Sequence, residues 1–147
     1  GGRLRVLPSL VAAEDGRIVV SWPAPLVADT VAEFEVERSI TANAMRLMRD
    51  LSAIGAAAPY AVLASLLTVE QGRFNFAHPG DGAWYDRMGS YTDRPQYAFG
   101  EVIFDSAPAS IQACAERMRP LLNQLAQSGG MAESVSFRND GTFVTGE

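Results

Sequence analysis

Apolar and polar positions alternate over short stretches near both ends of the chain. Leu10–Ala13 and Arg17–Trp22 are apolar runs that flank Asp15-Gly16. An Asp-Gly pair between two apolar runs predicts a β-hairpin, because Gly accepts a positive φ without steric cost. The same arrangement recurs in Ser134–Val144 around Asp140-Gly141. We therefore predict one hairpin near each end of the chain.

Alternation is complete in the five residues that begin at Glu33. Phe34 and Val36 fall on one side, and Glu33, Glu35 and Glu37 fall on the other. Period two predicts a strand that buries one face against a sheet. Carboxylates two residues apart on a strand are about 7 Å apart, which is too far for joint binding of a cation without other elements. We predict that the three glutamates form a solvated face of the sheet.

Helical spacing follows this predicted strand. One stripe of apolar residues recurs every three or four positions: Ala44, Leu47, Met48, Leu51 and Ile54. Ser39 or Thr41 is a candidate N-cap, since its hydroxyl can accept an N–H bond from the first turn. Gly55 is placed to end the helix in the left-handed conformation.

The next apolar run, Tyr60–Val69, is compatible with a short buried helix or a buried strand, and periodicity alone does not separate them. Pro59, Gly72 and the alternation of Phe74 and Phe76 with polar residues favour two strands that meet near Glu70–Gly72. A third apolar stretch, Glu101–Asp105, predicts another strand.

A second helix is predicted after this strand, with Ser106 as N-cap and Pro108 in the first turn. Its apolar stripe comprises Ile111, Cys114, Met118, Leu121, Leu122 and Leu125. Pro120 lies inside the stripe and lacks the N–H that would bond to Glu116, so we predict a kink or a break. Gly129-Gly130 is expected to end the helix.

Strands joined by short turns, with only two helices, indicate the α+β class. We predict a mostly antiparallel sheet with both helices packed on it. Residues 3–147 form a single domain with a long loop at 77–100, and Gly1-Gly2 is expected to be a remnant of a tag or cleavage site.

The loop at 77–100 has no sustained period, and long loops of this kind in compact domains are often functional. Its aromatic and basic residues are candidates for a binding surface: Trp84, Tyr85, Arg87, Tyr91, Arg94 and Tyr97. Tyr and Trp offer large contact area with few rotatable bonds, as protein interfaces require. The alternative is that these rings attach the loop to its own domain.

The only histidine, His78, lies in the same loop with Asp81, Asp86 and Asp93. A histidine with carboxylates can bind a divalent metal or act as an acid–base pair. However, the H-x-x-x-H, H-E-x-x-H and EF-hand spacings are missing, as are Walker and G-x-S-x-G motifs. We therefore predict no catalytic residue and no cofactor, and keep this cluster as the alternative site.

Composition narrows the possible partners. The net charge of −5 argues against nucleic-acid binding by this domain, because phosphate binding requires a positive surface.

The single cysteine, Cys114, excludes an internal disulfide and is predicted to be a small buried apolar residue. The cysteine usage favours a cytoplasmic protein. Because no apolar run is long enough to cross a bilayer, we predict no membrane segment. All twelve basic residues are Arg, which is typical of a GC-rich bacterial genome.

Four segments together resemble a bacterial family. Asp93–Asp105 is similar to a D-R-x(n)-P-E-V-V-V-E segment, and Leu51–Phe76 to D-L-A-x-A-G-x-x-x-P-V-F-V-x-x-S-L-x-G-V-x-G. Met118–Gly130, followed by Asn139–Phe143, is similar to L-R-P-x-F-D-x-L-W-x-A-A-G and S-x-x-x-D-x-D-G-x-W. These segments belong to the C-terminal part of Schlafen/AlbA-like DNA-binding or ATP-binding proteins. Gly100 stands where that family has Pro.

The resemblance implies an accessory C-terminal domain and transfers no catalytic residue. Together with the acidic charge and the aromatic loop, it favours a non-catalytic interaction or regulatory domain. The expected partner is another protein, the parent protein, or a second copy of the chain.

Overall fold

A computed structural model describes residues 9–12, 18–21, 26–27, 30–67, 73–75, 88–91 and 96–145. Two helices and ten short strands follow one another in these ranges. They are β1 (Ser9–Ala12), β2 (Ile18–Ser21), β3 (Leu26–Val27), β4 (Thr30–Ala32), α1 (Glu33–Ala53), β5 (Tyr60–Val62), β6 (Ser65–Leu67), β7 (Arg73–Asn75), β8 (Met88–Tyr91), β9 (Gln96–Ala98), β10 (Val102–Phe104) and α2 (Ile111–Ser128).

The strands pair mostly antiparallel, so the predicted α+β class is confirmed. β1 and β2 form the predicted N-terminal hairpin, with Leu10 opposite Val20. A four-stranded sheet has the order β3-β4-β7-β8, in which only the β4–β7 pair is parallel. β7 therefore does not pair with the strand segment that precedes it, contrary to the expectation of two adjacent strands joined near residue 72.

Four of the strands form one long antiparallel ribbon, which we call the β ribbon (Tyr60–Leu67 with Gln96–Phe104). β5 pairs with β10 and β6 pairs with β9, so the predicted strand at Glu101–Asp105 is confirmed. The predicted buried strand at Tyr60–Val69 is present over Tyr60–Leu67 as two short strands, but it is only half-buried, and its last two residues lie outside the described residues. Between the two paired parts, three residues, Phe99–Glu101, oppose two, Leu63 and Ala64. This extra residue is a β-bulge, which bends a ribbon and increases its twist.

A side chain of α2 fixes the bulge. The backbone N–H of Gly100 donates to Gln124 Oε1 at 2.7 Å, and Phe99 N–H donates to the carbonyl of Ala64 at 2.9 Å. A Cβ on residue 100 would lie 3.0 Å from Gln124 Nε2, so the Gln124 side chain would have to shift to admit it.

The core lies between the two helices, the inner face of the β ribbon and the segment after α2. α1 and α2 pack against each other, and β10 packs on α2. The ribbon contributes Tyr60, Phe99, Val102 and Phe104 to this core. All the predicted stripe residues of α2 from Cys114 to Leu125 are buried, and Ile111 is half-buried. The second predicted stripe is confirmed.

α1 begins earlier than predicted. Glu33 to Glu37 form its first turns rather than a strand, so the predicted strand and its solvated acidic face are wrong. Ser39 and Thr41 lie inside the helix and do not cap it. The five-residue alternation was too short to separate period two from a helix whose buried stripe contains Glu33 and Glu37.

The end of α1 agrees with the prediction in one respect. Gly55 has φ 85°, and the N–H of Ala56 donates to the carbonyl of Leu51, as in a left-handed C-terminal cap. Ile54 was predicted to extend the apolar stripe, but it follows the last helical residue and is 79% exposed.

α2 starts at Ile111, and its N-cap is Ser110, whose hydroxyl accepts from the N–H of Ala113 at 3.1 Å. The predicted cap at Ser106 is therefore wrong. The helix runs continuously through Pro120, so the predicted break does not occur. Gly129 is the C-cap and Gly130 has φ 89°, which confirms the predicted end.

The segment Ser134–Thr145, called the C-terminal hairpin below, closes the fold. Phe137 and Phe143 form its bridge, and Gly141 has φ 85° in the turn. Asp140 accepts from the N–H of Thr142 at 2.9 Å, a bond that lowers the pKa of the Asp140 carboxyl. The predicted Asp-Gly hairpin is confirmed, although Ser134–Phe137 are all buried.

Candidate functional site

Two glutamates of α1, Glu33 and Glu37, are fully buried and form what we call the acid pair. They lie four residues apart, so their side chains emerge on the same face of the helix, one turn from each other. The same face continues through Thr41, Ala44 and Met48, which are also buried. The acid pair is thus the polar end of an otherwise apolar helical stripe.

The C-terminal hairpin supplies the hydrogen-bond donor to the acid pair. The hydroxyl of Ser134 donates to Glu37 Oε1. The Ser134 hydroxyl in turn accepts from the N–H of Ser136 at 3.2 Å, and the N–H of Ser134 donates to Asn123 Oδ1 at 2.8 Å. This short chain of bonds links α1, α2 and the hairpin at one point.

Burial raises the pKa of both carboxyls, because removal of water disfavours the charged form. The pKa of Glu33 lies well above 4.5, first through burial, then through the proximity of the Glu37 carboxyl and its charge. Burial also raises the pKa of Glu37, but the Ser134 hydroxyl that donates to it and the nearby polar groups of Glu33, Ser136 and the Val135 backbone act in the opposite direction. Glu33 is therefore the carboxyl that holds a proton more tightly.

A proton on Glu33 also accounts for the hydrogen bonding of the pair. With both carboxyls ionised, both side-chain oxygens of Glu33 and Oε2 of Glu37 have no donor among the described residues. A protonated Glu33 becomes a donor, and its O–H can bond to Glu37. Two buried carboxylates at this spacing are otherwise strongly unfavourable, as in carboxyl pairs that share one proton.

The Ser136 hydroxyl is a further polar group at the site. It is fully buried and has no hydrogen-bond partner among the described residues, although its proximity lowers the pKa of Glu37. Among the described residues, the site therefore has more oxygen atoms than hydrogen-bond donors.

A metal centre is not formed by the described residues, which contain no group of three or more His, Cys, Asp and Glu side chains placed to hold a metal ion. Cys114, whose Sγ donates to the carbonyl of Thr41 at 3.7 Å, is completely buried. Burial raises the pKa of this thiol to about 11. Its predicted role as a small buried residue is confirmed.

Most of the side chains predicted to form a site lie outside the described residues. This applies to the alternative cluster and to four of the six residues of the predicted binding surface: His78, Asp81, Asp86, Asp93, Trp84, Tyr85, Arg87 and Arg94. The other two are on strands within the predicted loop, which is therefore not entirely irregular. Tyr91 ends β8 opposite Arg73, and Tyr97 is in β9 opposite Leu66.

Tyr97 contributes to the domain itself. Its ring is half-buried against the core and lies nearly parallel to the ring of Phe99, with centroids 6.4 Å apart. This is the packing role weighed as the alternative for the loop aromatics.

The opposite face of the β ribbon is exposed, and we call it the outer face. Its residues alternate with the core residues along each strand and are uncharged: Ala61, Leu63, Ser65, Ala98 and Ile103. Leu63 is 69% exposed and Ile103 37% exposed. Contiguous exposed apolar patches with a polar rim can mark interaction surfaces.

Neither the acid pair nor the outer face is evident from the local sequence pattern. Glutamates are almost never fully buried without a partner, so Glu33 and Glu37 were assigned to solvent. The available signal was the spacing of Glu33, Glu37 and Thr41 in continuation of the stripe through Ala44 and Met48. The outer face depends on which side of the ribbon meets α2, which a local pattern does not contain.

Comparison with known proteins gives no family assignment: no family model, curated protein or solved structure matches the chain. The resemblance to Schlafen/AlbA-like proteins therefore stays a prediction. Neither of the two helices within the described residues has the length and apolar content that crossing a bilayer requires.

Proposed function

We propose that this chain is a non-catalytic accessory domain whose function is protein–protein association through the outer face of the β ribbon. The observation that carries the proposal is the exposure of Leu63 and Ile103 on a sheet face whose one charged residue, Glu101, lies at its margin. Leaving such side chains in water forgoes the free energy that burial of apolar area would supply. The loop at 77–100 returns to the domain through β9, so it leads into the same surface.

The face is a better docking surface than the edge of the ribbon. Arg117 Nε donates to the carbonyl of Ile103 at 2.8 Å, so this carbonyl of β10 already has a donor. A strand added at that edge would compete with Arg117 for the carbonyl. Side chains of the outer face have no such competitor among the described residues.

The partner that we infer is a second copy of the chain. Each copy carries a net charge of −5, so two copies repel each other over most of their surfaces. The outer face is uncharged except for Glu101 in the bulge at its margin, so repulsion is smallest there. A two-fold symmetric contact then pairs the same patch on both copies. A bacterial cytoplasmic setting and a place within a larger parent protein complete the proposal.

Sedimentation velocity across a concentration series tests this proposal. The wild-type sedimentation coefficient should rise with concentration, and Leu63→Asp should abolish the rise by placing like charges opposite each other. Ile54→Asp is the matched control, because Ile54 is even more exposed but lies at the end of α1. A wild-type protein that stays monomeric throughout, or equal loss in both variants, would overturn the proposal.

A further inference from the structure

We propose that Glu33 and Glu37 share one buried proton, and that the presence of this proton controls docking of the C-terminal hairpin onto α1. This inference does not depend on the proposed association through the β ribbon. It concerns a different surface, and its measurement does not require a partner.

Geometry places the hairpin as the cover of the acid pair. Ser134 is bonded directly to Glu37, and Ser136 lies beside the same carboxyl. Ser134, Val135 and Ser136 are all buried, so this strand of the hairpin seals the pair from water. Undocking of the hairpin would expose the carboxyls to solvent and to its counterions.

Few bonds hold the hairpin in place. Its only described bridge, Phe137 to Phe143, lies within the hairpin itself, so among the described strands none pairs with it. Its attachments are hydrogen bonds from side chains of the helices together with the burial of four apolar residues: Val135, Phe137, Phe143 and Val144. An element attached by side chains is able to open without disrupting the sheet.

Loss of the proton would shift the equilibrium between the docked and the open hairpin. Deprotonation releases one H⁺ to solvent and leaves two carboxylates one helical turn apart in the interior. The only donors that the described residues offer are on the hairpin, and they serve Glu37 rather than Glu33. Opening of the hairpin hydrates both charges, so deprotonation favours the open state.

The other charged side chains that the structure describes on α1, α2 and the C-terminal segment are bonded elsewhere or exposed. On α1, Arg38 bonds to Glu35 and, at 3.1 Å, to the carbonyl of Thr145. On α2, Arg119 lies over the Phe137 ring at 4.5 Å, and the thiol of Cys114 contacts Thr41. On the C-terminal segment, Glu133 and Arg138 are exposed. Glu37 is the only described charge that acts on Glu33.

A bound cation is the competing explanation for the unpaired oxygens. Ca²⁺ takes about six to eight oxygen ligands, and Mg²⁺ requires octahedral coordination that usually includes several waters. The described site offers two carboxyls and two hydroxyls inside a packed core. A proton needs only the approach of Glu33 to Glu37, which the helix provides.

Amide hydrogen exchange of the C-terminal hairpin tests the proposal. Protection of residues 134–145, corrected for the intrinsic exchange rate, should fall in the wild type as pH rises above the range in which ordinary glutamates titrate, by at most tenfold per pH unit for one released proton. Core amides of α2 around Leu121 serve as the internal reference. Flat protection of the wild-type hairpin over this range would overturn the proposal, whatever the variants do.

Three variants separate the proton from a purely structural role. Glu33→Gln keeps a donor toward Glu37 and removes the Glu33 carboxyl, so its hairpin protection should depend on pH much less than that of the wild type. Glu35→Gln is the matched control on the half-buried side of the same turn and should follow the wild type. Ser134→Ala should lower protection while keeping the pH dependence. If Glu33→Gln retains the wild-type pH dependence, the proposal fails.

Addition of Ca²⁺ or Mg²⁺ distinguishes a bound cation from a shared proton. We expect no change in hairpin protection. An increase in protection that requires Glu33 would identify a cation site and overturn the shared proton.

Discussion

Gln112 and Phe143 are joined by two hydrogen bonds of 2.8 Å each: Gln112 Nε2 donates to the Phe143 carbonyl, and the Phe143 N–H donates to Gln112 Oε1. The side-chain amide of α2 thus replaces the neighbouring strand that this part of the hairpin lacks among the described residues. It satisfies both backbone groups of a residue whose side chain is buried in the core.

Substitution of Gln112 by Ala should destabilise the domain by about 1–3 kcal/mol, because both backbone groups of Phe143 lose their partner. Urea denaturation measures the change. Gln127→Ala is the control, since Gln127 makes a single exposed bond to the carbonyl of Ala132. Its cost should be well under that of Gln112→Ala. Equal losses of unfolding free energy in the two variants would show that the two hydrogen bonds between Gln112 and Phe143 contribute no extra stability.

Glu33→Gln should stabilise the protein at pH 8 relative to the wild type. Because the folded-state pKa of Glu33 lies above 4.5, the folded protein binds this proton more tightly than the unfolded chain. The stability due to the proton is complete below pH 4.5 and is lost as pH rises through the folded-state pKa, at about 1.4 kcal/mol per pH unit.

Urea denaturation of wild type and variant at several pH values measures this loss. In the difference between the two free energies of unfolding, the contributions of all other titrating groups cancel. Glu35→Gln should stay within about 0.5 kcal/mol of the wild type, as for an exposed or half-exposed substitution. A difference between Glu33→Gln and wild type that does not grow with pH would contradict the assignment.

The bulge of the β ribbon can be tested at Gly100. Gly100→Ala should cost about 1 kcal/mol, because the new Cβ displaces Gln124 and removes its bond to the residue-100 N–H. Gln124→Ala removes the same bond and should cost a similar amount. The double variant should cost little more than either single one, as expected for a shared interaction. Additive costs would show that the two residues act independently.

Cys114 should react slowly with a thiol reagent in the folded protein and rapidly in urea. Its side chain is buried, and its pKa of about 11 leaves almost no thiolate at neutral pH. The reaction is followed by the absorbance of the leaving group that a chromogenic thiol reagent releases. Rapid labelling without denaturant would contradict the burial of Cys114 between the helices.

Sequence patterns predicted the parts of this fold that depend on local chemistry. The stripe from Ile111 to Leu125, the turn at Asp140-Gly141 and the glycine ends of both helices each follow from neighbouring residues. The first turns of α1 were missed because their buried face carries carboxyl groups, which local rules assign to solvent. The N-cap of α2 was predicted at Ser106 instead of Ser110 because both serines precede the same apolar stripe.

Long-range pairing limited the rest of the prediction. β7 pairs in parallel with β4, although the whole of α1 lies between these two strands in the sequence. Nothing in the residues Arg73–Asn75 specifies that partner. β8 and β9 lie in a stretch without alternation, so their strands follow from the partners opposite them. The acid pair depends on the arrival of Ser134 from almost a hundred residues away, a contact that no local pattern contains.

Carbon-13 NMR of the glutamate carboxyl carbons tests the shared proton most directly. Spectra of the wild type, Glu33→Gln and Glu37→Gln assign the two signals, and a pH titration follows them. We predict that the Glu33 signal titrates well above the pH range of ordinary glutamates, with a coupled change at Glu37. If both signals titrate near pH 4.5, as exposed glutamates do, the proposed buried proton is contradicted.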